Sequence, residues 1–358
     1  MAIQGAFTLN PNEIFASLAN MIISQEVFAD NLGKHQTLVD KARVDGSLYG
    51  DKKLYYATDV LESHVWGADA EASNLLALDR PQDPEVQAIT LDVFRQIRLT
   101  VDNYLTKQAW SSEGAFSSFN SVMLGWMRET KRVYDGTLYN VFIGTTETAL
   151  GAQKQTVASK SAATPEAEAK VIAEKIANIL VDMGDYSRDY NDYGFLRSYS
   201  EDAIKVIWNS KFVNKIRKVD LPAIFHKEGL VDKFDEEVLP ARYFGTKNAS
   251  KVSTSANTGT YRSVIEKTYV KSSTEYHVFP GDVIPAGVEI AIGEGYLVDA
   301  DIICKIVVKL PPFMSAFEVG TSFFNPRSLT ENHYLTFGHN TLAALKNYPF
   351  VTLRASAE

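Results

Sequence analysis

From Ile89 to Val101 the chain alternates between apolar and polar residues. Ile89, Leu91, Val93, Ile97, Leu99 and Val101 fall on one parity, and Thr90, Asp92, Gln96, Arg98, Thr100 and Asp102 on or beside the other. Phe94 and Arg95 are the exceptions. A period of two places successive side chains on opposite faces, so this pattern predicts a strand with one covered and one wet face. At about 3.3 Å per residue, a strand over 88–101 would reach roughly 45 Å. Globular strands usually run about five or six residues, so a strand of this length is expected to project as an arm.

The period then changes. Phe116, Phe119, Met123, Trp126, Met127, Thr130, Val133, Tyr134, Leu138 and Phe142 recur mostly at steps of three and four. That spacing predicts a helix over 113–143 with one apolar stripe, roughly 46 Å long at about 1.5 Å per residue. Ser111 or Ser112 is placed to cap it and Gly144 to end it. Gly114, Gly125 and Gly136 weaken it by about 1 kcal/mol each relative to Ala, with a break expected near Gly136.

Weaker periodicities fill in the rest. Residues 12–32 read as an amphipathic helix, and Asp45-Gly46 as a turn. Leu54–Ala57 is β-prone, and Arg80-Pro81-Gln82-Asp83-Pro84 can continue neither a helix nor a central strand. Thr146–Val157 reads as a strand. Thr164-Pro165-Glu166 opens a helix with a cap, a proline at the first position and an acid in the first turn. Its apolar face is Ile172, Ile176, Ile179, Leu180 and Met183, and Gly184 stops it. Short strands are expected at 204–208, 302–310 and 350–353, with turns at Pro280-Gly281 and Pro285-Ala286-Gly287. The Ser/Thr/Asn/Gly-rich stretch 247–263 is the expected loop or insertion point.

Composition removes several classes of function. The 358 residues carry a formal net charge of −8 and one cysteine. No intrachain disulfide can form, which fits a reducing cytoplasm, and no window suggests a bilayer-spanning helix or a secretion signal. An acidic chain grips nucleic acid poorly, because that affinity comes from clustered Lys and Arg. The densest basic stretch, 211–218, spaces its cations with apolar residues and reads as a solvated face.

No short catalytic motif is present. Walker, G-x-S-x-G and H-E-x-x-H patterns are missing. Gly293-Glu294-Gly295 reads as a hairpin turn, and the acidic run from Asp189 fails a calcium loop at Tyr193 and Ser200. His35, His64, His226, His277, His333 and His339 show no ligand spacing, with the last two in a turn-rich stretch. Cys304 reads as a core residue with a raised pKa. No catalytic residue, metal ligand or cofactor is expected. The 17 Tyr and 19 Phe favour an interface role over core filling alone.

The order of elements resembles the Hong Kong 97-type major capsid proteins of tailed bacteriophages. So does the texture of residues 44–51, 85–89, 94–100 and Phe323-Phe324-Asn325-Pro326-Arg327. The resemblance implies an α+β fold with an N-terminal arm (1–46), an extended two-stranded loop (47–105), and a spine helix with peripheral domain (106–160). An axial domain (161–300) and return strands of the peripheral domain (301–358) would follow. An arm starting at residue 1 would mean that any scaffold segment is removed or is a separate protein. Tyr55, Tyr56, Ile89, Leu91, Val93, Ile97, Leu99 and Val101 would make assembly contacts. Phe116, Phe119, Met123, Trp126, Met127, Val133 and Tyr134 would form the spine helix core.

The implied function is self-assembly into an icosahedral or prolate head shell around double-stranded DNA. The implied partners are pentamers and hexamers of the chain itself, scaffold and portal proteins, a decoration protein, and packaged DNA as a non-specific neighbour, with no membrane. The Lys–Asn–carboxylate set of cross-linked members is not assigned. Two other readings compete: an encapsulin-like nanocompartment shell, which copurifying cargo would favour, and an enzyme with a β-rich domain, which a monomer with a deep polar pocket would favour.

Overall fold

The computed structural model describes residues 37–45, 52–63, 80–102, 113–162, 164–216, 235–252 and 260–357. The expected helix over 12–32 and the residues 253–259 of the expected loop lie outside them. The chain divides into two units. One gathers Met1–Asp51, Thr90–Tyr139 and Pro312–Thr341; the other gathers Lys52–Ile89, Asn140–Pro311 and Leu342–Glu358.

The chain order begins with a short helix α1 (Thr37–Ala42) and the strands β1 (Arg43–Asp45), β2 (Lys52–Ala57) and β3 (Glu85–Asp102). The alternating segment is thus one 18-residue strand, β3. The long helix α2 covers Glu113–Thr145 without a break at Gly136. Gly144 does not end it, because the helix continues to Thr145. Gly144 serves close packing instead: a Cβ there would lie 2.2 Å from the carbonyl oxygen of Tyr243.

Two long strands late in the chain, β13 (Phe313–Asn325) and β14 (Thr330–Asn340), form a hairpin. The stretch around His333 and His339, expected to be rich in turns, is thus strand. In the first unit β1 runs parallel to the start of β13, and β14 runs antiparallel to both β13 and β3. The strand order within this unit is β1-β13-β14-β3. Helix α2 lays Tyr134 and Tyr139 on this sheet, 5.8 Å from the Phe337 ring and 6.3 Å edge-on from Phe313.

The second unit is built on β12 (Ile302–Val307), whose six residues are all buried. It pairs antiparallel with β5 (Lys205–Asn209) and β15 (Phe350–Ala355). Parallel strands β6 (Asp235–Leu239) and β4 (Lys154–Val157) extend the sheet on either side. Only the last four residues of the expected 146–157 strand form a strand, and the strand expected to reach 310 stops at Val307. Helix α3 (Pro165–Gly184) contributes Ile172, Ile176, Ile179, Leu180 and Met183 to the same core as Val206, Trp208, Ile306 and Leu353. Its start is as expected: the Thr164 hydroxyl accepts from the Ala167 N–H at 3.2 Å. A short helix α4 (Ser210–Ile216) follows β5.

A smaller sheet in this unit has the order β7 (Gly245–Lys247), β11 (Gly295–Val298), β8 (Tyr261–Ser263). Beside it in sequence, β9 (Lys267–Lys271) and β10 (Thr274–Val278) form a hairpin. Its two turn residues, Ser272 and Ser273, have φ of 48° and 67°. Both sit in the left-handed region, which suits Asn and Gly far better than serine. Replacing the pair by Asn-Gly should therefore raise stability by about 1 kcal/mol, read as a higher urea midpoint with an unchanged slope.

Candidate functional site

The strand β3 keeps its alternation in three dimensions. Leu91, Val93, Arg95, Ile97 and Leu99 are half-buried, and Thr90, Asp92, Phe94, Gln96, Arg98 and Thr100 are exposed. Ile89 and Val101, near the two ends, are buried. One edge of β3 is used by β14, in register from Asp102 opposite Thr330 to Val93 opposite His339. The wet face carries cross-strand hydrogen bonds, Thr100 to Asn332 at 2.7 Å and Gln96 to Thr336 at 3.1 Å. Asp92 closes the unit's end by accepting from the Thr341 N–H (2.6 Å) and hydroxyl (2.7 Å).

The two exceptions to alternation now have causes. Arg95 sits on the covered face because its guanidinium lies 4.9 Å from the centre of the Tyr134 ring, a cation–π contact. Phe94 remains 58% exposed on the wet face. Its ring edge covers the backbone of Gly338, where a Cβ would stand 3.1 Å from the ring.

Other expected contact residues are distributed differently. Tyr55 is half-buried in the second unit, where Lys309 lies 5.3 Å from its ring and 5.4 Å from that of Tyr348. Tyr56 is 63% exposed. Asp59, just beyond β2, is fixed by Arg188 and by the N–H groups of Leu196 and Val60, which hold its carboxyl at about 2. Of the expected helix core, Met127 and Tyr134 are buried and Trp126 and Val133 half-buried. Phe116, Phe119 and Met123 lie on α2, with side chains outside the described residues.

Sequence reasoning missed a polar seam between α2 and the sheet. His339 is on β14 and buried, not in a turn, and His333 is on the same strand. The His339 Nδ1 lies 2.9 Å from the Asn340 carbonyl, and its Nε2 lies 2.8 Å from the Tyr134 hydroxyl. A carbonyl only accepts, so Nδ1 carries the proton and Nε2 accepts from Tyr134. Burial pushes the His339 pKa down, which keeps this neutral form. One turn earlier on α2, Lys131 lies 3.5 Å from Asp135 and 3.1 Å from Glu318, and Arg43 lies 3.5 Å from Asp135. Desolvation raises the Asp135 pKa to about 6 although Lys131 and Arg43 pull it down.

Among the described residues no group of three or more His, Cys, Asp or Glu converges on a metal-sized space. Burial pushes the Cys304 thiol well above its ordinary value. Asn191, within the acidic run read as a failed calcium loop, spends its carboxamide on the Phe195 backbone at 2.6 and 2.8 Å.

A long strand and a hairpin beside a 33-residue helix is a frame that other proteins share. The capsid structure of Staphylococcus phage Andhra matches over 88% of this chain and 83% of its own, at 12% identity and a TM-score of 0.58. A chain in the structure of the head fiber and inner core protein of native bacteriophage P68 matches over the same shares, at 10% identity and a TM-score of 0.61. At such identities the likeness concerns the fold. No curated protein sequence matches the chain. Residues 3–353, however, match the family described as Phi29-like phage major capsid protein. The chain belongs to that family. It is a phage major capsid protein that forms the head shell. Its mixed helix-and-sheet fold is that of phage capsid proteins, its place is the virion head, and its partner is an assembly of its own kind.

Proposed function

We propose that this capsid protein acts without enzymatic chemistry and closes its shell largely through the arm formed by β2 and β3. The observation that carries this reading is the face of Leu91, Val93, Ile97 and Leu99, which its own chain covers only in part. Apolar surface left half in water gains free energy when a neighbour covers it, about 25 cal/mol per Å². Ile89 and Val101 are buried at the strand ends, and Tyr55 and Tyr56 lie on β2. Residues 1–46 then serve as the N-terminal arm, 47–105 as the extended loop, 106–160 and 301–358 as the peripheral domain, and 161–300 as the axial domain. Pentamers and hexamers close the shell by rotational symmetry, assembled in the host cytoplasm with scaffold and portal proteins and open to a decoration protein. DNA is a non-specific neighbour inside, consistent with the net charge of −8.

The test is assembly of the chain, expressed with any neighbouring scaffold gene, followed by sedimentation and negative-stain microscopy. Wild-type chain should give closed particles or capsomers. Ile97→Lys and Tyr56→Lys should each leave a folded subunit, because both positions retain solvent access, and should lower the yield of particles. Arg98→Ala, on the wet face of β3, should change little. Particles formed at wild-type yield by both folded Lys variants would refute the role given to the arm.

A further inference from the structure

The outer edge of β13 is the other long surface without a described neighbour. β1 covers it only at Phe313, Met314 and Ser315. Among the described residues no strand pairs with that edge beyond Ser315, while β14 occupies the opposite edge through Asn325. A bare edge presents a row of N–H and C=O groups that template pairing with another chain, and proteins that stay single guard it with charges, prolines or bulges. Guards stand at both ends here: a register shift between Ala316 and Val319, the exposed Glu318, and Pro326 just after the strand. Between them Val319–Asn325 (VGTSFFN) has no charge and no proline.

Exposure of the side chains points the same way. Thr321, Ser322, Phe323 and Phe324 are all exposed, Phe323 at 62% and Phe324 at 49%. Consecutive strand residues face opposite sides, so the two phenylalanines present apolar surface on both faces of one ribbon. A helix or a second sheet packed on one face would leave the other phenylalanine wet. A strand added at the edge satisfies the backbone groups and flanks both faces with its own side chains. Next to this edge the hairpin turn holds Leu329 at φ 54°, a left-handed conformation that a leucine adopts at a cost.

We propose that Val319–Asn325 of β13 accepts an extended strand from a second copy of this chain, continuing the sheet across the boundary between subunits. The occupant is a copy because the chain builds a shell of its own kind, so every subunit meets others in fixed geometry. The inference rests on the shell-building reading and adds a second interface to the arm. Seven residues offer an edge of about 23 Å, with outward N–H groups at every second residue.

Proline substitution tests this directly, because proline removes one N–H. Of the adjacent positions Thr321 and Ser322, only one points its N–H away from β14. Thr321→Pro and Ser322→Pro should therefore split: one should disrupt the hairpin, and the other should melt like wild type yet fail to form particles. A wild-type-like proline variant that assembles at full yield would overturn the proposal. Should both variants misfold, hydrogen exchange on the wild-type chain decides. The amides of 319–325 that point away from β14, at alternate positions, should exchange freely in the unassembled subunit and become protected in the particle, while those bonded to β14 are protected in both. Protection of the outward amides already present in the subunit, meaning coverage by the same chain, or absent from the particle, would each overturn it. A wild-type chain that forms no particles at all fails the shell reading itself, whereas particles without newly protected outward amides of β13 fail only this interface.

Discussion

Gly144→Ala should abolish or severely weaken folding, while Gly125→Ala on the same helix should strengthen it. Both replace a helical glycine by the best helix former, so propensity alone favours both by about 1 kcal/mol. Space separates them. At Gly125 nothing lies within 4 Å of a new Cβ. At Gly144 the Cβ would stand 2.2 Å from the Tyr243 carbonyl oxygen, 2.6 Å from its carbon and 3.2 Å from the Phe244 nitrogen. These are backbone atoms that cannot rotate away. The 241–244 stretch is itself tied down, with the Tyr296 hydroxyl donating to the Arg242 carbonyl at 2.7 Å and the Asp299 N–H to the Phe244 carbonyl at 3.0 Å. Relief would require moving the helix end against this anchored segment. Overpacking at such a site costs at least about 3 kcal/mol. Soluble yield and chemical denaturation of the two variants give the comparison; a Gly144→Ala chain as stable as wild type would mean that the helix end moves freely.

The same residue shows how a sequence can be legible in its elements and opaque in its contacts. Periodicity located β3 and α2 because each covers one face along its whole length, so the pattern repeats many times. Gly144 looked like a helix stop because Gly is the usual C-cap residue. What reserves that position is a segment about 100 residues later, which no local window contains. The β13–β14 hairpin was missed for a related reason. Over Thr321–Phe324 its outer strand is exposed on both faces, so Val319–Asn325 has no alternation to read, and Asn325-Pro326 looks like a loop. The β9–β10 hairpin was hidden because Ser272-Ser273 replaces the usual Asn-Gly.

The candidate site was legible to a similar degree. The half-buried face of β3, with Leu91, Val93, Ile97 and Leu99, came directly from alternation. The Tyr134–His339 hydrogen bond joins a helix to a strand some 200 residues away, and His339 alone carried no ligand spacing. Lys131 and Asp135 did have the i, i+4 spacing of a helical ion pair. On a helix that spacing is usually a solvent-exposed pair contributing about 0.5 kcal/mol or less, so nothing in it announced burial. Burial changes its meaning, because an isolated charge inside a protein is costly in a way that a surface charge is not.

Lys131→Met should therefore be strongly destabilising above neutral pH and much less so in mild acid. The Lys131 and Asp135 side chains are only 7% and 2% exposed. Removing Lys131 leaves the Asp135 carboxylate with Arg43 alone at 3.5 Å, and breaking a buried pair from one side costs about 3 kcal/mol or more. The pH dependence follows from Asp135, whose folded pKa of about 6 already lies above its ordinary value because of desolvation. A carboxyl with a raised folded pKa binds its proton more tightly when folded. Its ionisation thus subtracts stability as pH rises from about 4 through 6, and returns it as pH falls. Without Lys131 the folded pKa rises further, so the deficit is full near pH 8 and shrinks towards pH 5 as the buried group becomes neutral. The double variant Lys131→Met/Asp135→Leu should recover to within about 1 kcal/mol of wild type, since an apolar pair replaces the ionic one. Arg43 then keeps Asp40 at 3.6 Å, and Glu318, 48% exposed, returns to water. Urea denaturation of the wild type and the three variants Lys131→Met, Asp135→Leu and the double, at pH 8 and pH 5, completes the cycle. A Lys131→Met deficit equal at both pH values would show that lost packing, and not the stranded carboxylate, is what the lysine prevents.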